Sequence, residues 1–281
     1  MLYNGLKVIF LVENNLCNII VTTLHYCILP VLAESLKDLF YNLHCWFYTN
    51  KLSINVKKSN FIIFRPRQNR QTLDLAFNIG NYSIDQVKEV TFLGVILDEH
   101  LTWKSHIHNV ARKVSKAVGI IYKSSFCLDN SSLRILYFSL IYPYLFYCVS
   151  VWASTYPSNL RRLITLQKRV IRIISRSAFD AHTDPLFKNL KILNLESIYK
   201  LQIGKFMYQY RSGLLPYSFN NMFSVTHQVH SYGTRSSEFF YLPQCRTNIR
   251  KFSISFQGPK FLILLVLKFE MQQVPLRFAV S

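Results

Sequence analysis

The chain has 281 residues, half of them apolar and 17% charged. This is enough for a sizeable core in one large domain or two small ones. The 33 Lys and Arg residues outnumber the 14 Asp and Glu residues, giving a formal net charge of +19. Such an excess repels itself in a free compact protein and implies a polyanionic partner, either nucleic acid or an anionic membrane surface.

The cysteine pattern and the N-terminus bear on the compartment. Six cysteines lie scattered among aromatic and aliphatic neighbours, with no Cys-x-x-Cys pair. This pattern is typical of buried thiols in a reducing compartment and argues against a disulfide framework. The N-terminal apolar run contains Lys7 and Glu13, which a secretory signal does not favour. We therefore expect an intracellular protein, in the cytoplasm or the nucleus.

Two uncharged stretches, 14–33 and 135–160, are long enough to cross a membrane. Both contain polar residues and proline, including Pro30 in the first and Pro143 and Pro157 in the second. A membrane helix is normally richer in Leu and Ile. We expect burial in a protein core. A basic, membrane-associated protein with one or two hydrophobic spans is the alternative.

The first half of the chain is predicted to contain one helix and a small sheet. Apolar residues recur at helical spacing over 31–50, and Asn50 closes that helix. Short β-rich runs follow at 60–64, 73–79, 82–84 and 90–97. The second and third flank Gly80-Asn81, a hairpin signal. The simplest interpretation is an antiparallel sheet across 60–97.

The second half is predicted to be helical. Helices are expected at 104–123, at 131–150 with a break near Pro143, at 159–176, and at 189–212 before Gly213 and Pro216. Beyond 217 the pattern weakens into a polar, turn-rich tail. The fold class is therefore α+β, with a small antiparallel β region followed by a mainly α-helical part.

The helix at 159–176 carries the most informative pattern. Leu163, Val170 and Ile174 share an apolar arc with neighbouring isoleucines, and no Asp or Glu occurs from 130 to 179. The opposite arc holds Arg161, Arg162, Lys168, Arg169, Arg172 and Arg176. Basic side chains on one helix face can follow phosphates. The same arc is also compatible with the ordinary solvated face of an amphipathic helix.

Other candidate chemistry is weaker. The aromatic residues at 137–147 are dense enough to indicate core packing. His100, His106 and His108 lie near Asp98 and Glu99, in a spacing that fits the start of a helix better than a metal site. No pair of acidic residues is placed to hold two metal ions.

Several segments, in this order, resemble the reverse transcriptases of non-long-terminal-repeat (LINE-type) retrotransposons, especially the jockey and chicken-repeat-like branch. Residues 46–64, WFYTNKLSINVKKSNFIIF, resemble the end of the polymerase palm. Residues 90–98, VTFLGVILD, with 101–107, resemble the block that grips the primer. Residues 136–145, LYFSLIYPYL, with Trp152 and the run LQKRVIRII at 166–174, resemble the thumb and its connection.

The resemblance implies a domain organisation and several roles. Residues 1–98 would be a remnant of the palm with the primer-grip hairpin, 99–216 a helical thumb and connection, and 217–281 an irregular tail. Lys58 would match a palm lysine that helps protonate the pyrophosphate leaving group, or else be a surface lysine. Phe92, Leu93 and Gly94 would form the primer-grip turn, or else a buried strand with a bulge. The basic helix would face an RNA template and a DNA primer or target.

The sequence also departs from the family, at the positions of its metal-binding aspartates. Active members use a Tyr/Phe-Ala-Asp-Asp box, whose aspartates hold two Mg²⁺ ions. Here the counterpart of that box has Tyr3, but Asn4, Gly5 and Leu6 stand in place of Ala-Asp-Asp. We therefore expect a truncated, catalytically inactive fragment with no cofactor of its own, residual nucleic-acid binding and no specific protein partner. A third hypothesis is that the sequence is a piece of an active polymerase, in which case an in-frame Tyr-Ala-Asp-Asp box would lie upstream of Met1.

Overall fold

A computed structural model gives the fold, and it describes residues 5–11, 20–25, 38, 41–42, 45–52, 59–64, 77–79, 82–229 and 239–273. The chain divides into two compact units, Met1–His106 and Ile107–Ser281. The first contains the strands and the second contains most of the helices, so the predicted α+β class is confirmed.

The strands form a five-stranded sheet in the order β2-β1-β3-β5-β4 and a separate hairpin of β6 and β7. Their bounds are β1 Gly5–Leu11, β2 Ile20–His25, β3 Asn60–Phe64, β4 Phe77–Ile79, β5 Tyr82–Gln86, β6 Glu89–Phe92 and β7 Val95–Asp98. The central strand, β3, is an unbroken apolar run that is buried from Phe61 to Phe64. A continuous apolar run is what a strand covered on both faces requires.

The pairing differs in part from the predicted antiparallel sheet. Strand β1 pairs antiparallel with β2 and β3, and β4 pairs antiparallel with β5 across the predicted Gly80-Asn81 turn. However, β3 and β5 are parallel, through the pairs Asn60↔Asp85 and Phe61↔Gln86. The single strand predicted at 90–97 is wrong, because the chain reverses between β6 and β7.

Helical backbone at 45–49 confirms the end of the predicted first helix. The helix ends at Asn50. Lys51 then adopts a left-handed conformation, with a φ of 55°. Residue 38 and residues 41–42 are also helical, and the rest of the predicted helix lies outside the described residues.

The second unit is built from helices of very different length. Their bounds are α1 Lys104–Ser124, α2 Asn130–Leu140, α3 Tyr142–Phe146, α4 Val149–Trp152, α5 Pro157–Ile174, α6 Thr183–Asn189, α7 Leu195–Arg211, α8 Thr226–Val229, α9 Asn248–Lys251 and α10 Ile254–Gln273, with a short 3₁₀ turn at Tyr217–Phe219. The helices predicted at 104–123 and 159–176 correspond to α1 and α5.

The aromatic segment at 137–147 enters the helical core only in part, because Tyr137 is buried whereas Tyr144, Phe146 and Tyr147 are exposed. Helices α2, α3 and α4 follow one another with breaks at Ile141 and at Cys148, where the backbone is left-handed. Tyr137, Leu145 and Trp152 point inward and are fully buried. Pro143 lies at the start of α3, where its missing N–H costs nothing.

The helix predicted at 189–212 is wrong at its start. Helix α6 ends at Asn189, and Lys191 takes a φ of 52°, so a new helix must begin after it. Helix α7 then starts from Asn194, whose side-chain oxygen accepts the N–H of Ser197 at 2.8 Å. Apolar periodicity continues through both helices, which hides the break between them.

The tail beyond 217 is not irregular throughout. Helix α10 packs across α7, where Ile203, Met207 and Phe223 form a small buried cluster. Two glycines allow the close approach: Gly258 lies against the Met207 side chain, and Gly204 lies against the Phe261 ring. The sequence Gly258-Pro259 discourages a helix locally, so its helical state depends on this packing.

Candidate nucleic-acid interface

Helix α5 owes its orientation to a sharp division between two faces. Pro157 begins the helix, where its fixed φ suits the first turn. Its inward face is fully or almost fully buried and consists of Leu163, Gln167, Val170, Ile171 and Ile174. The outward face is therefore held in a fixed direction by the core beneath it.

The six predicted basic residues all lie on or beside the outward face. Arg161, Arg162, Lys168, Arg169 and Arg176 are exposed, and Arg172 is half-buried. No acidic residue is present on α5 to neutralise them. The predicted basic face is confirmed as a geometric feature, and its role in binding nucleic acid stays a prediction.

The charged groups of three of these residues have no bonding partner in the part of the chain that the structure describes. There, Arg161, Lys168 and Arg169 form no side-chain hydrogen bond or ion pair. Arg161 and Lys168 line a shallow groove at the start of α5, together with Ser158 and Thr165. Their donors are available to an anionic ligand without breaking a described contact.

The other three arginines are fixed by contacts to neighbouring segments. Arg162 Nη1 lies 3.5 Å from His108 Nδ1 on α1. Arg172 Nε donates to the carbonyl of Ala181 at 2.9 Å, and Arg176 Nη2 donates to the carbonyl of Leu128 at 3.1 Å. A guanidinium has five N–H donors, so each retains donors for a phosphate.

Helix α1 extends the basic face, which the sequence reasoning did not anticipate. The contact between His108 and Arg162 brings the N-terminal halves of α1 and α5 together, and Tyr122 shares a cleft with the last turn of α5. On α1, Arg112 and Lys116 are exposed one and two turns after His108. No sequence signal pairs these helices, because their contact is tertiary.

Gln167 is a further residue that the sequence reasoning missed. It is a fully buried amide among apolar neighbours, and it joins three segments. Its Nε2 donates to Tyr137 Oη at 2.9 Å and to the Leu193 carbonyl at 3.0 Å, and its Oε1 accepts the N–H of Leu195 at 2.9 Å. A polar residue within the apolar arc was the signal that could have identified it.

The predicted primer-grip residues form a tight turn in the first unit. Leu93 and Gly94 connect β6 and β7 as a two-residue turn, with φ values of 45° and 79°. Positive φ at both positions is the conformation that joins two twisted strands, and it favours glycine. Phe92 is half-buried, whereas Leu93 is 63% exposed at the tip. The alternative of a buried strand with a bulge is therefore wrong, and contact with a primer stays a prediction.

Two other predicted sites, the palm lysine and the counterpart of the aspartate box, are described in part or not at all. Lys58, Tyr3 and Asn4 lie outside the described residues. Gly5 and Leu6 open strand β1, where they pair with His25 and Leu24 of β2. Neither residue type carries a side chain that could bind a metal ion.

The histidines and carboxylates near the start of α1 have structural roles. The carboxylate of Asp98 accepts the backbone N–H groups of Thr102 and Trp103, each at 2.9 Å. His106 Nδ1 accepts the N–H of Ile96 at 3.3 Å. Within the described ranges, no three His, Cys, Asp or Glu residues are grouped so that they could hold a metal ion.

The two uncharged stretches, 14–33 and 135–160, bear on the alternative of membrane spans. Residues 135–160 are divided among several helices and include the start of α5; of the stretch 14–33, only β2 is described. Across the described parts of the chain, no helix combines the length and the apolar character needed to cross a bilayer.

Comparison with known proteins gives three relatives of one kind. Over 163 residues the chain is 24% identical to a probable RNA-directed DNA polymerase from transposon X-element of Drosophila melanogaster. The match covers 57% of this chain and 18% of the relative. It is 27% identical over 119 residues, 41% of this chain and 13% of the relative, to the RNA-directed DNA polymerase from mobile element jockey of Drosophila funebris. A probable RNA-directed DNA polymerase from transposon BS of Drosophila melanogaster is 23% identical over 172 residues. This match covers 58% of this chain and 18% of the relative.

These matches cover less than a fifth of the length of the curated relatives. No family model matches the chain. No solved structure matches it. The resemblance predicted from the ordered sequence blocks is nevertheless confirmed: about half of this chain is a reverse-transcriptase-like region, similar to the RNA-directed DNA polymerases of non-long-terminal-repeat retrotransposons.

Proposed function

We propose that this chain binds RNA or DNA through the basic face of α5, as the thumb-like part of a retrotransposon reverse transcriptase. The observation that carries the proposal is the exposed, acid-free arc of α5, on which Arg161, Lys168 and Arg169 are not engaged by any described residue. The net charge of +19 acts in the same direction, because it attracts a polyanion at long range. The similar polymerases support the choice of nucleic acid over other polyanions.

The proposed partners are an RNA template and a DNA primer or target. The turn at Leu93-Gly94 is proposed to approach the primer, since glycine at the tip allows close backbone contact. Lys58 is proposed to occupy the position of the palm lysine that helps protonate the pyrophosphate leaving group in active polymerases, and this rests on the family resemblance alone.

We further propose that the chain as it stands does not polymerise. Asn4, Gly5 and Leu6 occupy the positions of the Ala-Asp-Asp triplet, so the carboxylates that would hold two Mg²⁺ ions are lacking there. A primer-extension assay with Mg²⁺ and a primed RNA template tests this. We expect no extension, and any extension that depends on Mg²⁺ would contradict the proposal.

The binding proposal is tested by fluorescence anisotropy with labelled RNA and DNA over a range of salt concentrations. Replacing Arg161, Lys168 and Arg169 together by Gln removes three charges without breaking a described hydrogen bond. Each lost phosphate contact lowers the slope of log affinity against log salt by roughly 0.7 to 0.9. We therefore expect the slope to fall by about 2 and the affinity to fall at least about tenfold near physiological salt.

The matched control replaces Lys205, Arg211 and Lys251 by Gln, which are equally exposed but lie on α7 and α9. This variant has the same net charge as the first. If both variants weaken binding equally, net charge alone explains the affinity and the face on α5 is not the binding site. If the wild-type chain shows no salt-sensitive affinity at all, the proposed function is wrong.

A further inference from the structure

A cleft at the C-terminal end of α5 combines arginine with exposed aromatic rings. It has a volume of about 320 Å³ and is lined by Tyr122, Arg169, Arg172, Arg176 and Phe179, among others. Arg169 is exposed, and the two other arginines each donate one described hydrogen bond, to a backbone carbonyl. The cleft thus offers several cationic N–H donors on one side of a small, open space.

The aromatic rings of this cleft are accessible to solvent. Phe179 is 85% exposed and Tyr122 is 50% exposed. Phe126 packs its edge against the Tyr122 ring, with centroids 5.5 Å apart, and this contact restrains the orientation of that ring. An exposed, restrained ring beside guanidinium groups is suited to stacking on another flat ring.

The walls of the cleft are held in place by the same arginines. The bond from Arg172 to the Ala181 carbonyl restrains the loop that carries Phe179. The bond from Arg176 to the Leu128 carbonyl joins the end of α5 to the turn after α1. Asp129 and Asp180 are the acidic residues nearest in sequence to these walls, and neither forms an ion pair within the described part of the chain.

Arg176 occupies a position that normally favours glycine. It lies two residues after the end of α5, beyond the C-cap Ser175, with a φ of 51°, and the N–H groups of Arg176 and Ser177 donate to the carbonyls of Ile173 and Arg172, respectively. This is the Schellman pattern of helix termination, in which a side chain at the left-handed position costs free energy. Lys191 adopts the same conformation at the end of α6, so the two positions form a matched pair.

We infer that this cleft binds an unpaired stretch of a nucleic-acid strand, stacking a base on Phe179 or Tyr122 while the three arginines contact its phosphates. The inference rests on the proposed function and names the form of nucleic acid that this part of the site takes. In a duplex the base faces are already stacked, so exposed rings beside the strand gain little. An unpaired base has a free face that can stack on an aromatic ring, and this holds for any nucleotide sequence.

The test compares the full chain with three aromatic variants on two ligands of equal length, an unpaired oligonucleotide and a fully paired duplex, each as RNA and as DNA. The variants are Phe179→Ala, Tyr122→Ala and, as a control, Tyr217→Ala, whose ring is 87% exposed outside the cleft. We expect at least one of Phe179→Ala and Tyr122→Ala to weaken binding of the unpaired strand by roughly tenfold to a hundredfold, with less than about a twofold effect on the duplex. Tyr217→Ala should change neither.

A fluorescent base analogue in the unpaired strand gives a second readout, because its emission falls when it stacks on an aromatic ring. The quenching should be lost in Phe179→Ala or in Tyr122→Ala. The slope of log affinity against log salt should be unchanged in both variants, since no charge is removed.

Two glycine variants separate the charge at Arg176 from its effect on folding. Arg176→Gly and Lys191→Gly each remove one positive charge from a left-handed position that ends a helix, with φ values of 51° and 52°. Both should leave the midpoint of thermal unfolding close to that of the wild type, because glycine relieves the strain, which in Arg176→Gly offsets the lost hydrogen bond to the Leu128 carbonyl. Only Arg176→Gly should lower the salt slope for the unpaired strand, by about 0.7.

The outcomes separate this inference from the proposed function. If the wild-type chain binds neither ligand, the proposed function itself fails. If it binds both ligands and Phe179→Ala and Tyr122→Ala leave both affinities unchanged, the cleft inference fails while the proposed function stands. If the two glycine variants lowered the salt slope for the unpaired strand equally, the cleft inference would also fail, because only net charge would then matter.

Discussion

Gln167 sets the direction of the basic face, although it carries no charge. Its buried amide holds α5 to Tyr137 on α2 and to the start of α7 through three hydrogen bonds. The neighbouring residues Lys168 and Arg169 therefore point outward from a helix whose rotation is fixed. Buried polar groups with all their partners present specify one arrangement of the core around them.

The first prediction concerns this amide. Gln167→Leu should lower the free energy of unfolding by roughly 3 kcal/mol, because the N–H of Leu195 and the carbonyl of Leu193 lose a buried partner. Gln202→Leu on α7 is the control, since no described residue bonds the Gln202 side chain, and it should change stability by less than about 0.5 kcal/mol. Urea denaturation measures both. Equal effects in the two variants would show that the amide network contributes nothing specific.

The second prediction concerns the pH dependence of stability. Burial raises the pKa of Tyr137 from 10.0 to about 12, against the opposing effect of its hydrogen bond from Gln167. The folded state therefore holds the phenol proton more tightly than the unfolded state does. The stabilisation is fully present below about pH 10 and is lost as the pH rises towards 12, a total of about 3 kcal/mol.

Tyr137→Phe isolates this effect from other groups that titrate in the same range. The variant should be less stable at neutral pH, because one N–H of Gln167 loses its acceptor. Between pH 10 and 12, however, its free energy of unfolding should fall less steeply than that of the wild type. Parallel curves for the two proteins in that range would rule out Tyr137 as the source of the slope.

At this scale the sequence predicted which residues share a face, but not what they contact. The 3.6-residue period is enough to place Arg172 on the outward side of α5, whereas Arg176 lies beyond the end of that helix. Their partners are the backbone carbonyls of Ala181 and Leu128, and the second of these lies 48 residues away along the chain. Backbone acceptors carry no residue-type signal, so such contacts cannot be read from a single sequence.

At the scale of elements, the crossing of α7 and α10 depends on two residues that lack a side chain. A Cβ added at Gly258 would lie 2.4 Å from Met207 Sδ, and one added at Gly204 would lie 3.2 Å from the Phe261 ring. Met207 is 1% exposed, so its side chain has little room to move aside. The tail helix is thus held by close packing against α7 more than by its own helical propensity.

The third prediction uses two glycines as a matched pair. Gly258→Ala should destabilise the protein by roughly 1 to 3 kcal/mol, because the methyl group overpacks the crossing. Gly119→Ala, on the exposed side of α1 with nothing within 4 Å of the added Cβ, should stabilise it by about 0.5 to 1 kcal/mol. Thermal unfolding measures both changes in stability, which should have opposite signs. A stabilising Gly258→Ala would contradict the packed crossing.

Long periodic elements could be predicted, whereas their interruptions and pairings could not. Helices α1 and α5 match their predicted ranges closely, since each has a continuous apolar face. The break before α7 and the helix across Gly258-Pro259 were missed, because tertiary contacts override the local preference there. The parallel pairing of β3 with β5 is likewise set by the whole sheet, and an apolar run alone gives no direction.

At the scale of the whole molecule, the net charge of +19 has opposite consequences for the free and the bound protein. In the free chain, the charges repel one another and lower the stability of the compact state. Dissolved salt screens this repulsion, with a screening length of about 10 Å at 0.1 M. Nucleic acid also neutralises the charge, but salt weakens that association.

The α+β class was predictable at the scale of the whole molecule because it depends only on the order of strand-like and helix-like segments.

The fourth prediction follows from these opposite effects. Added salt should raise the midpoint of thermal unfolding of the free chain, because it relieves self-repulsion. A saturating oligonucleotide at low salt should raise the midpoint further, since binding at 100 times Kd contributes about 2.7 kcal/mol. As salt increases, that second gain should shrink until the two melting curves coincide.

The Arg161, Lys168 and Arg169 triple variant provides the control for this experiment. With three charges removed, its free form should gain less from salt than the wild type does, and it should also gain less from the oligonucleotide. Substituting Lys205, Arg211 and Lys251 should reproduce only the first of these changes, because self-repulsion depends on net charge whereas binding depends on where the charge lies. If the oligonucleotide raised the midpoint equally in both triple variants, the charge of the whole molecule would be the binding determinant, and the face on α5 would not.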